Sequence, residues 1–128
     1  MSFIGSIGGG GSGFNINDLN TQVFAKVATG GTAVIGEQNS VIEFQNGAGN
    51  YAWTIPPNSS VAFPVGSWMV LRKTGAGDIT LTRGSGVAFQ HENFGDNNVK
   101  LDGQEGYSVY IEKTATDAWL LSGAIKTV

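Results

Sequence analysis

The chain contains no cysteine, which excludes a disulfide framework and any thiolate nucleophile or metal ligand. A single histidine, His91, leaves no imidazole cluster of the kind that binds zinc or relays protons. Charge is also scarce: Asp, Glu, Lys and Arg together make up 13% of the residues, and the net charge is −3. The seven Lys and Arg residues form no basic patch that would displace counterions, so nucleic acid is not an expected partner. No apolar run approaches the roughly 20 residues of a membrane-spanning helix. The opening stretch MSFIGSIGGGGSG lacks the basic start and long apolar centre of a secretory signal. A protein made in the cytoplasm, which leaves the cell only as part of an assembly, is expected.

Glycine is plentiful, with 20 residues, and aromatics make up 10%. That composition suits a turn-rich all-β chain, and 128 residues suffice for one domain. Residues 1–13 read as a glycine-rich arm and residues 14–128 as the β-domain. Phe3, Ile4 and Ile7 are apolar side chains set among glycines and serines, a segment too entropically costly to fold alone and too apolar for a solvated linker. They are read as an arm that docks on a partner.

The stretch from Trp53 to Leu81 organises the rest. Trp53-Thr54-Ile55 ends at Pro56-Pro57-Asn58, where two successive prolines remove backbone donors and stop a strand. Ser67–Lys73 alternates Trp68, Val70 and Arg72 on one side with Met69, Leu71 and Lys73 on the other. Gly75-Ala76-Gly77-Asp78 is a turn, and Ile79–Thr82 runs back, so a β-meander is expected. Further strands are expected over Thr21–Val27, Thr32–Ile35, Val41–Gln45, Val87–Gln90 and Val99–Leu101. Tyr107–Lys113 and Ala118–Ser122 form a hairpin turned at Thr116-Asp117. The fold class is all-β, an antiparallel β-sandwich or jelly-roll-like barrel with an extended glycine-rich N-terminal arm.

Thr54-Ile55-Pro56-Pro57-Asn58, Phe63-Pro64-Val65-Gly66, Gly75–Leu81, Gly86-Val87, Gly106–Val109 and KTATDAWLLSG from Lys113 to Gly123 together resemble a small β-sandwich module of tailed-bacteriophage virion proteins. The likeness spans residues 40–125; residues 1–40 and the loop from Gln90 to Asn98 lie outside its signature. The resemblance implies a structural virion protein, most simply a head decoration or cement protein that forms a homotrimer and binds the major capsid protein or another virion protein. It also implies an alternative, a receptor-binding module of a tail fibre that engages a host-surface glycan. A short arm after Met1, in place of a long fibre, favours the decoration reading.

Catalytic signals are sparse. His91 beside Glu92 lacks the spaced partners of a general base or metal site, and Asp78, Asp96 and Asp102 stand in turns without calcium-loop spacing. The glycines Gly8–Gly11 lack the Lys-Ser/Thr of a phosphate loop. No enzymatic activity, cofactor or metal is expected. Tyr51, Trp53, Trp68, Tyr110 and Trp119 could stack on sugar rings, but core or subunit-interface packing is the commoner fate of such residues, with Tyr110 the exception. Tyr110, His91 and Phe94, the one apolar residue of the HENFGDNN loop, are the candidates for surface recognition.

Overall fold

The computed structural model describes residues 21–91, 93–102 and 108–128. Phe3, Ile4 and Ile7, Tyr107 and the arm boundary at residue 13 lie outside them.

Eleven strands form two sheets among the described residues. They are β1 (Val23–Lys26), β2 (Gly30–Thr32), β3 (Ser40–Phe44), β4 (Tyr51–Ile55), β5 (Trp68–Lys73), β6 (Ile79–Arg83), β7 (Ala88–Gln90), β8 (Val99–Leu101), β9 (Ser108–Ala115), β10 (Ala118–Gly123) and β11 (Ile125–Thr127). The six-stranded sheet has the order β1-β3-β5-β9-β10-β7 and the five-stranded sheet β11-β8-β6-β4-β2. From β1 to β6 the chain changes sheet at every strand, so each strand stacks in parallel on the one two places earlier. Val23, Val41 and Val70 fall in one cross-strand row and Phe24, Ile42 and Leu71 in the next. In the other sheet Tyr51 lies against Ile79 and Trp53 against Leu81.

The all-β fold is therefore as the sequence indicates, but the pairing is mixed and not uniformly antiparallel. The expected meander is corrected too: β4 and β6 are parallel neighbours in one sheet, while β5 lies in the other. Corner packing accounts for this. The turn after β5 does not fold back on its own strand but stacks on the turn after β3, with Gly77 N–H donating to Gly47 O at 3.0 Å and Thr74 N–H to Phe44 O at 3.2 Å. A Cβ at Gly75 or Gly77 would collide with the backbone of Gly47 or Gly49, so only glycine permits this close approach. Ile79 and Leu81 then point into the core from the sheet opposite Met69 and Leu71.

The second half is antiparallel where the chain can pair locally. β9 and β10 form the expected hairpin, with Leu121 opposite Ile111 and Leu120 opposite Glu112. The strand expected over Thr32–Ile35 sits instead on Gly30–Thr32, and β11 had no counterpart in the sequence reading. Both are edge strands of three residues, too short to show alternation.

The inner faces of the two sheets share one core, with Trp53, Phe44, Ile42, Leu71 and Leu81 fully buried beside Trp119 and Phe89. Edge-on contacts of Phe44 with Trp53 and of Phe63 with Trp119 lock the aromatics in place. Each such side chain contributes about 1.5–3 kcal/mol through removal from water.

Candidate recognition face of the six-stranded sheet

The outer faces of the two sheets differ in chemistry. On the five-stranded sheet the outward positions include Ala52, Thr54, Thr80, Thr82, Lys100 and Lys126, with Lys100 paired to Asp78 at 2.9 Å. Hydroxyls and ammonium groups of that kind hold water. On the six-stranded sheet, strand register aligns Val23, Val41, Val70 and Tyr110 in an outward row that ends at Ser122. Trp68 stands one outward position along β5 from Val70, and Leu120 stands across Glu112 from it. Val23 is 50% exposed, Leu120 41% and Tyr110 37%. Trp68 and Tyr110 lie with ring planes 18° apart and centroids 6.3 Å apart.

Ionic groups frame this apolar row. Arg72 Nε donates to Glu43 Oε2 at 2.7 Å on one side, and Tyr110 Oη donates to Glu112 Oε1 at 3.3 Å on the other. Hydrogen bonds from Gln45, then from Arg72, hold the Glu43 carboxyl below its ordinary 4.5. Burial first, and then the neighbouring Glu112 charge, raise the Tyr110 phenol above 10.0, so it remains a neutral donor at physiological pH.

His91 and Phe94 meet at one cleft, and Tyr110 is not among the residues that line it. Tyr110 is the cross-strand partner of Ser122, and Ser122 lines this cleft of about 460 Å³ together with His91, Phe94 and Leu120. Phe94 also borders a second cleft of about 570 Å³, lined by Arg83, Asn97, Asn98 and Thr127. The His91 ring stacks on Phe94 at 4.9 Å, its Nδ1 accepts the Asn93 N–H at 3.0 Å, and its carbonyl accepts from Gly95 at 3.0 Å. These contacts give His91 a part in shaping its loop. Asp96 anchors the same loop by accepting at Oδ1 from Phe89 N–H at 2.8 Å and from Arg83 Nη1 at 2.7 Å.

Tyr51, Trp53 and Trp119 are buried in the core, while Tyr110 is outside, as the strand alternation indicates. Trp68, for which core or subunit-interface packing is expected, stands on the outer face and not in the core. The sequence carried a signal for it, since β5 bears large apolar residues on both sides and such a strand has both faces to cover. Val23 and Val41 join the row only through strand order, which the sequence did not reveal. No family model, no curated protein and no solved structure matches this chain.

Proposed function

We propose that the protein is a structural subunit of a tailed-phage virion, a head decoration protein that works as a homotrimer. The row Val23, Val41, Val70 and Tyr110 is the observation that carries the reading. An apolar stripe across the outside of one sheet, opposite a sheet covered in threonine and lysine, suits burial against sister subunits. The residues that resemble phage virion modules supply the biological setting. Phe3, Ile4 and Ile7 then serve as the arm that reaches the major capsid protein, three arms per trimer acting together through avidity.

The experiment is to assemble capsids with and without the protein and compare their resistance to heat. Decorated capsids should survive heating that opens undecorated ones. Equal survival, together with loss of host adsorption when the protein is missing, would move it to the tail. That second reading, a receptor-binding module, draws on the two clefts beside Phe94, where aromatic and carboxamide groups of the sort that bind sugars line one rim.

A further inference from the structure

Two lysines are buried among the described residues, and they differ in what they face. Lys73 is 3% exposed and donates from Nζ to the backbone carbonyl of Gly77 at 3.0 Å, an unreactive partner. Lys113, on β9, is 2% exposed and donates to the side-chain carboxamide of Asn58 at 2.6 Å and to Phe63 O at 2.8 Å. No carboxylate accepts from Lys113 Nζ among the described residues. Its cross-strand partner is Trp119, whose ring meets Phe63 edge-on at 5.6 Å, and both of these residues are buried with it. Asp117, in the turn after β9, accepts the Asn58 backbone N–H at 2.7 Å through Oδ1.

We propose that Lys113 and Asn58 condense to an intramolecular isopeptide bond, with Asp117 as the proton carrier. The carboxamide carbon lies one C=O bond, about 1.23 Å, beyond the oxygen that Nζ already touches. A small rotation of the Asn58 side chain brings it to the near-attack separation of about 3–3.5 Å. Burial lowers the Lys113 pKa from 10.5, which favours the free amine, while the Asp117 charge opposes that shift. The amine lone pair forms the Nζ–Cγ bond and gives a tetrahedral intermediate. Asp117 takes a proton from Nζ and delivers it to Nδ2, the Cγ–Nδ2 bond breaks, and ammonia leaves. No oxidant, metal or further reactant takes part. The product ties β9 of the six-stranded sheet to the segment after β4 of the five-stranded sheet, across 55 residues of sequence.

Intact-mass spectrometry of the purified protein, followed by tandem spectrometry of its tryptic digest, provides the test. The expected mass is lower than the sequence mass by one ammonia, and the peptide ending at Arg72 should be found joined through Asn58 to the peptide that spans Lys113. Lys113→Met and Asn58→Ala should each restore the unlinked mass, less the substitution, and Asp117→Ala should leave the unlinked form dominant. The wild-type measurement decides alone if these variants do not fold. A wild-type protein at full sequence mass would overturn the proposal. So would a missing ammonia without the joined peptides, since that pattern marks a succinimide.

Discussion

Trp68 on β5 and Tyr110 on β9 place their rings 18° from parallel on the outside of the six-stranded sheet, whereas the Phe44–Trp53 and Phe63–Trp119 pairs lie in the core. Aromatic area held at a sheet surface, next to Val70 and Val41, is costly in water and gains by being covered.

Val70→Glu places a carboxylate in the middle of that row without touching the core side of β5, where Met69 and Leu71 are fully buried. The variant should keep its fold by circular dichroism and sediment as a monomer, against the trimer proposed for the wild type. A Val70→Glu protein that remains trimeric would remove the outer face from the interface.

Deleting residues 2–13 should leave a folded oligomer that no longer enters particles. Docked as proposed, three apolar side chains of this size would contribute roughly 5–8 kcal/mol gross per arm, before the ordering of a glycine-rich segment takes part of it back. The check is the occupancy of the truncated protein on purified particles; normal occupancy would make the arm inert.

Gly77→Ala tests the stacked corners. Its Cβ would meet the Gly49 carbonyl, a backbone atom that cannot swing aside. Overpacking of this kind costs about 1–3 kcal/mol, read as a lower midpoint in chemical denaturation. An unchanged midpoint would show that the two turns are not held in contact.

Asp96 supplies a pH test. The Phe89 N–H first, and then the Arg83 guanidinium, hold its carboxyl below the ordinary 3.8 against an opposing desolvation cost. The unfolded chain therefore takes up this proton at a higher pH than the folded protein does. The stabilisation is fully present above about 3.8 and is lost as the pH falls through the lower folded value. The stability gap between wild type and Asp96→Asn should narrow over that range. A gap independent of pH would mean that the charge contributes nothing.

Much of the strand content was legible because the apolar alternation is clean: Val109 and Ile111 face inward and Tyr110 outward, as their spacing requires. Strand partners were not legible in the same way. A five-residue link such as residues 74–78 suits either a hairpin or a sheet-to-sheet corner, and local propensity does not distinguish them. A clue was present in Gly47-Ala48-Gly49 and Gly75-Ala76-Gly77, the same tripeptide at the same corner of successive turns of the chain. Read as a repeat, it points to parallel stacking. Strand alternation singles out Tyr110, and loop position singles out His91 and Phe94, whereas Lys113 and Asn58 meet only after the two sheets close.

Copy number is the measurement that bears most directly on the decoration reading. Calibrated mass spectrometry of purified particles should find the protein in many copies, at a fixed ratio to the major capsid protein. A handful of copies per particle, or copies that separate with the tails when heads and tails are resolved, would contradict it.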